Sequence, residues 1–371
     1  MSISLQVNIP AKQSYSYPIT IKSGLLNEWQ DWLPSYAQSR KVVIISDSTV
    51  AQLYAEDFCT QLIAAGYSAK LFDFPAGEHS KSVATKLRLE EQMFEFGCDR
   101  HTLCIAFGGG VVGDLAGFVA ATFMRGMNFI QIPTSLLAMI DSSVGGKTAV
   151  NTSYGKNIIG AFWQPQAVFM DIALLHTLPQ EHIVNGFFEA VKVFLTLDRE
   201  SFEFCQQNID KILQLDAEDL TPVIEKAVKL KAHVVEIDEY ERNLRMILNY
   251  GHTVAHAIEK LSNYQVLHGY AVALGMLVEA RIAQLCGLLN DENYQIVATF
   301  LQKLNITPLM LDGYNIDEII CAMRGDKKNT NQKIKLVLLT GIGQVKNEAN
   351  QVAFDIDESI IANALTILMD K

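Results

Sequence analysis

Up to about residue 175 the chain alternates short apolar, β-branched runs with stretches of helical period. "KVVIISD" (41–47), "SAKLFDFP" (68–75), "TLCIAFGG" (102–109), "FIQIP" (129–133) and "AVFMDI" (167–172) predict strands, and the segments around 49–65, 81–97 and 113–124 predict helices between them. Such alternation predicts an α/β unit built on a parallel, doubly wound, Rossmann-like sheet, with ligands at the C-terminal ends of the strands. From Leu178 the pattern changes to long helices, with Pro179 placed at the start of one and "ENYQIVATFLQKL" in another; only "KIKLVLLT" (333–340) predicts a strand. We therefore expect two domains, residues 1–177 and a mainly α-helical 178–371, with the active site in the cleft between them. A length of 371 residues suits two cores.

Composition narrows the function. Apolar residues make up 49% of the chain, as in an ordinary globular enzyme, but the net charge of -11 argues against a broad nucleic-acid or anionic-membrane surface. An anionic substrate must then meet a local cluster of cations. The N-terminus has no basic start followed by an apolar core, and no run approaches the roughly 18 to 20 apolar residues of a membrane span, so the cytoplasm is expected. The six cysteines show no C-x-x-C spacing and read as buried free thiols.

"IAFGGGVVGD" (105–114) fits G-x-G-x-x-G as Gly108, Gly110 and Gly113, a turn that lets backbone approach a pyrophosphate. The full fingerprint also needs an acid at the end of the next strand, which here ends Gln131, Ile132, Pro133; Asp47, closing "KVVIISD", is the more plausible ribose partner. "DSSVGGKTAVN" (141–151) is not a Walker motif, because Asp141 stands where that motif needs glycine. Lysine among glycines, with Lys156 and Asn157 close behind, still makes an anion site.

"LRMILNYGHTVAHAIE" (244–259) spaces Arg245, Asn249, His252 and His256 by four, three and four, which on one helix makes a single polar stripe amid apolar neighbours. Buried without partners that stripe is costly, so it faces a polar cavity. Gly251 inside it signals close approach or a local break. Both histidines as metal ligands, or one as ligand and one as substrate contact, fit equally well. Glu189 and Lys192 in "GFFEAVK", and His268, can complete a zinc site with an open position. Arg125, Lys147, Lys156, Lys192, Lys231, Arg245, Lys327 and Lys328 lie in apolar or glycine-rich stretches and suit a substrate with phosphate and carboxylate.

Together, "GGGVVGDLAGFVAATFMRG", "IPTSLLAMIDSSVGGKTAVN", "GKNIIGAFWQP" and "LRMILNYGHTVAHAIE" closely resemble the 3-dehydroquinate synthase family, from "SDSTV" near 46 to "GIGQV" near 345. The resemblance implies a phosphate-eliminating lyase of the shikimate pathway, which forms 3-dehydroquinate and phosphate from 3-deoxy-D-arabino-heptulosonate 7-phosphate. It implies catalytic NAD+, which is reduced and then reoxidised, and a divalent metal, Zn2+ or Co2+. It places the metal on Glu189, His252 and His268, and NAD on Asp47, Thr49, Glu78, Lys81, Gly109, Gly110, Val111, Asp114, Thr134, Ser135, Lys156 and Thr177. Substrate contacts are implied for Asp141, Lys147, Asn157, Lys192, Lys231, Arg245, Asn249, His256 and Lys327, of which Lys147, Lys192, Asn157, His256 and Arg245 are the catalytic set. Arg125 would reach the phosphate from the neighbouring subunit, implying a homodimer. The family usually reads H-G-E where this chain has His268, Gly269, Tyr270, and smaller residues where "GFFEAVKVFL" has phenylalanine.

Overall fold

The computed structural model describes residues 14–325 and 333–370. Six parallel strands form the central sheet: β1 (Ile19–Lys22), β2 (Lys41–Asp47), β3 (Ser68–Phe74), β4 (Leu103–Gly108), β5 (Phe129–Pro133) and, after a two-stranded insertion, β8 (Val168–Asp171). Their order is β1-β8-β5-β4-β2-β3. Along β2 the side chains divide between two apolar layers, Val42 and Ile44 on one face, Val43 and Ile45 on the other, all fully buried. A parallel sheet covered on both faces explains the nearly continuous apolar runs. From β2 the chain goes first to β3 on one side and then crosses to β4 on the other. This switch point leaves a crevice at the strand C-termini, between Asp47 and the glycine turn.

Between the strands lie α1 (Glu56–Ala64), α2 (Val83–Glu95) and α3 (Gly110–Thr122). The last starts three residues before the predicted position, so the glycine turn is itself the first turn of the helix. The segment read as an anion site carries its cations on a hairpin: β6 (Lys147–Thr152) and β7 (Gly155–Phe162) pair antiparallel, with Lys147 on the first strand and Lys156 and Asn157 on the second. Gly117 of α3 lets the hairpin pack closely, since a Cβ there would lie 2.5 Å from Thr148 Cγ2.

The second half comprises α4 (Gln180–Leu197), α5 (Arg199–Leu213), α6 (Ala217–Ile237), α7 (His252–Leu261), α8 (His268–Leu285), α9 (Asp291–Lys303), α10 (Ile316–Arg324) and α11 (Glu358–Met369). Its apolar core continues into the sheet half through Leu136 and Met139, which follow β5, and Val168 and Met170 on β8. The single strand predicted at 333–340 is two: β9 (Lys335–Val337) pairs with β12 (Ala353–Asp355), and β10 (Leu339–Gly341) with β11 (Gln344–Val345), because the chain changes partner at Leu338. Cys59, Cys98, Cys104 and Cys205 are buried as expected, whereas Cys286 is partly exposed and Cys321, on α10, is exposed.

The single helical stripe expected from Arg245 to His256 is also corrected. Leu244–Asn249 form a 3-10 segment, Gly251 adopts a left-handed φ of 78°, and α7 begins at His252. Two close approaches account for the break: a Cβ on Gly251 would meet Val272 O at 2.7 Å, and one on Gly275 would meet Gly251 O at 1.9 Å. Gly275→Ala is expected to lose about 1–3 kcal/mol, measured by urea denaturation, since backbone rather than a mobile side chain must give way.

Candidate active site

The helical half places its polar groups against the sheet's C-terminal edge. Glu189 lies midway along α4, a helix buried along most of its length, and its side chain is 0% exposed. Its Oε2 accepts a hydrogen bond from Lys192 Nζ, one turn on and 1% exposed. Its Oε1 is buried and accepts none; it faces His268 Nε2 at 3.4 Å and His252 Nε2 at 3.7 Å. One ligand atom from each of the three residues lies within 4.8 Å of the others. His252 reaches the carbonyl of Tyr250 through Nδ1 at 3.2 Å, which puts a proton on Nδ1 and turns Nε2 toward Glu189.

An orphaned carboxylate oxygen facing two imidazole nitrogens fits a divalent metal bound by two nitrogens and one oxygen. Burial opposes charge on His268, but the carboxylates of Glu189 and Glu259 outweigh it and raise the pKa to about 10. The metal-free protein therefore holds a proton on His268, which a metal would displace.

Beside this triad, Asp141, Lys147, Asn157, Lys192, Lys231, Arg245, Asn249 and His256 line one cleft of about 500 Å³, together with Asp114, His252 and His268. Lys231, on α6, donates to Asp141 Oδ1 at 2.5 Å and to the Asp141 carbonyl at 2.6 Å. Burial would raise the Asp141 pKa, yet Lys231 and Lys192 hold it well below the usual range, so the acid is ionised. Arg245 is buried, with Nη1 donating to the Glu239 carbonyl at 2.5 Å and Nη2 to the Gly145 carbonyl at 3.1 Å; its Nε has no partner. At the mouth, Lys147 meets Glu241 at 2.6 Å, and Asn249 Nδ2 donates to the same carboxylate at 2.8 Å.

Most of the residues expected to hold NAD stand at or after the C-terminal ends of the sheet strands, whereas Lys156 lies on β7. Asp47 ends β2, where its Oδ1 accepts from the amides of Thr49 (2.9 Å) and Val50 (3.0 Å) and leaves Oδ2 for another partner. The N-terminus of α3 at Gly109, Gly110 and Val111 carries no side-chain cap, so its first amides are available to an anion. A Cβ on Gly110 would stand 3.1 Å from Ser142 Oγ and one on Gly109 3.5 Å from Ser135 Oγ, so side chains here would fill the cradle. Thr134 and Ser135 follow β5, and Thr177 Oγ1 bonds the Tyr54 hydroxyl at 2.6 Å. Glu78 accepts from Asn151 Nδ2 at 2.7 Å. Lys81 donates to Asp114 Oδ2 and Asn157 Oδ1, each at 2.5 Å, tying the hairpin to α3. Bare helix amides over a glycine cradle at a switch point fit a dinucleotide.

One described residue among those expected is not brought in. Arg125 is exposed, in a turn where it and Met124 have φ of 68° and 49°, and does not line the cleft. Lys327 and Lys328 lie outside the described residues. Sequence reasoning missed Glu241 and Glu259. The latter shares the α7 face with His252 and His256, which is the signal that would have found it. Tyr270 meets Phe188 edge-on at 5.3 Å and 74°, and neither lines the cleft; the two unusual residues answer each other as local repacking.

Residues 71–185 match the family description "3-dehydroquinate synthase N-terminal", and residues 186–329 match "3-dehydroquinate synthase C-terminal". A 3-dehydroquinate synthase of Desulforamulus reducens is 46% identical over 331 residues, covering 89% of this chain and 92% of its own. Among solved structures, a 2-epi-5-epi-valiolone synthase from Streptomyces hygroscopicus subsp. jinggangensis with NAD+ and Zn2+ bound aligns with a TM-score of 0.87 and 26% identity, over 98% of this chain and 99% of that one. A 2-deoxy-scyllo-inosose synthase complexed with carbaglucose-6-phosphate, NAD+ and Co2+ aligns with a TM-score of 0.82 and 27% identity, over 94% and 95%. With both halves matched and nearly half of the aligned residues shared with the first of these relatives, the chain belongs to the 3-dehydroquinate synthase family.

Proposed function

We propose that this chain converts 3-deoxy-D-arabino-heptulosonate 7-phosphate into 3-dehydroquinate and phosphate, with NAD+ and a divalent metal, Zn2+ or Co2+, as cofactors. The observation that carries this reading is that the Glu189, His252, His268 triad opens into the same cleft as a cluster of buried and half-buried cations. Residues 1–177 then form the NAD-binding domain and 178–371 the metal- and substrate-binding domain; the last sheet strand ends at Asp171 and α4 begins at Gln180.

When bound, NAD+ supplies a reversible hydride acceptor for a secondary alcohol and the metal a Lewis acid that acidifies its hydroxyl. The chain's own residues bind and orient. Lys147, Asn157 and His256, with Lys327, hold the phosphate; Arg245, Lys231 and Asn249 fix the carboxylate end, where a guanidinium fork sets direction as well as charge. Lys192 keeps its charge beside Glu189 Oε2 and leaves Oε1 free for the metal. Asp141, held ionised by Lys231, positions that lysine. The protein contributes mainly placement and fixed charge. Phosphate release that a chelator stops and zinc restores is the expected result; release indifferent to chelator would remove the metal from this reading.

Lys147 gives a pH test. Its side chain is 47% exposed at the cleft mouth, and partial desolvation there lowers the amine to about 8, against the pull of Glu241 and with the repulsion of Arg245. The ammonium that binds phosphate is present below that pH and lost above it, so kcat/KM is expected to fall about tenfold per unit above pH ~8. Lys147→Arg keeps the charge and should move that limb upward; an unmoved limb would assign it to another group.

A homodimer fits an unpartnered face. Val83, Leu87 and Phe94 project from one side of α2, and Met124 is exposed beside them, where Phe94 meets Phe123 at 4.6 Å. Arg125 directly follows Met124, is exposed and does not line its own cleft, so a second copy could reach it. The net charge of -11 argues against a broad nucleic-acid or anionic-membrane surface, and among the described residues no helix is long and apolar enough to cross a membrane.

A further inference from the structure

Glu259 has no role in the site as assigned so far, yet its carboxylate is 4% exposed and lies between two parts of it. It follows His256 by three residues and His252 by seven on α7, so all three share one face. Its Oε1 stands 3.5 Å from His268 Nδ1 and 3.1 Å from Lys156 Nζ. The Lys156 ammonium also lies 4.4 Å from the centre of the Tyr264 ring.

His268 opens α8, where the helix has no side-chain cap. Glu259 faces Nδ1 while Nε2 faces Oε1 of Glu189, so with a metal bound a carboxylate at Nδ1 would keep the remaining proton on Nδ1 and leave the Nε2 lone pair to the metal. On the reading that Glu189, His252 and His268 hold a divalent metal, we propose that Glu259 is a positioning residue of that centre. It fixes the ring and tautomer of His268, and Lys156 on β7 fixes Glu259 in turn. The metal site of the helical half is thereby braced against the hairpin of the sheet half through a single carboxylate oxygen.

The test measures zinc binding to metal-free protein by competition with a chromophoric chelator, so turnover plays no part. Glu259→Ala is expected to weaken zinc about 10–100-fold, the usual cost of losing the group that orients a ligating histidine. Glu259→Gln keeps an oxygen facing Nδ1–H at nearly the same volume and should recover most of that loss. The visible absorption of the cobalt(II) form should change in the alanine variant and stay close to wild type in the glutamine variant, a signature that a general packing role would not give. Wild-type zinc affinity in Glu259→Ala, or equal weakening in both variants, would overturn the proposal. Failure of wild-type protein itself to bind zinc would overturn the metal reading on which it rests.

Discussion

Replacing His252 or His268 with alanine is expected to lower kcat/KM for phosphate release by about a thousandfold or more while the protein stays folded. Lewis-acid stabilisation of developing charge is worth several kcal/mol, and each tenfold in rate is about 1.4 kcal/mol. The contrast with Glu189 makes the prediction specific. Glu189→Ala would strip the fully buried Lys192 of its carboxylate partner, and breaking a buried pair from one side costs about 3–5 kcal/mol. All three variants should lose bound zinc, measured by metal analysis of the purified protein. Only Glu189→Ala should also shift the denaturation midpoint strongly. Histidine variants that retain zinc would contradict the ligand set.

Arg245 should show the second large effect, with stability and specificity moving together. Its two bonds to the carbonyls of Glu239 and Gly145 join the segment before Gly251 to the turn leading into β6, and charge-assisted bonds contribute about 1.5–3 kcal/mol each. Arg245→Met is therefore expected to destabilise the protein by about 3–6 kcal/mol in chemical denaturation. Guanidinium carries five N–H donors and these bonds use two, so others remain for a substrate carboxylate. Arg245→Lys loses the fork, and its KM for the heptulosonate phosphate should rise about a hundredfold or more, the 2–4 kcal/mol of a charged hydrogen-bonded contact. A KM unchanged in a folded Arg245→Lys protein would place the carboxylate elsewhere.

The sheet was legible because strands buried on both faces produce short β-branched apolar runs bounded by turn residues: "FIQIP" is β5 residue for residue. The β6–β7 hairpin was not, since Gly145, Gly146, Gly155 and Gly160 interrupt the alternation and Lys147 with Lys156 reads as loop chemistry. Period alone also misplaced the stripe. It grouped Arg245, Asn249, His252 and His256 correctly as lining one cleft, but it joined them into one helix through Gly251, whose left-handed turn exists because α8 passes against it. Partners distant in sequence left no local trace: Lys231 finds Asp141 90 positions away, and Lys147 finds Glu241 94 away. Glu189 and Lys192, by contrast, stood out at once, because two charges one turn apart in an apolar helix need a purpose.

The chemistry separates this reading from its neighbours among enzymes of similar build. A cyclase for a sugar phosphate without a carboxylate would need no buried guanidinium at Arg245, and a dehydrogenase would release the reduced cofactor. The most direct measurement incubates zinc-loaded protein and NAD+ with 3-deoxy-D-arabino-heptulosonate 7-phosphate or with sedoheptulose 7-phosphate, following phosphate and NADH absorbance together. The expected result is stoichiometric phosphate release from the heptulosonate alone, with no net NADH. Turnover of sedoheptulose 7-phosphate but not the heptulosonate, or NADH accumulating with product, would contradict it.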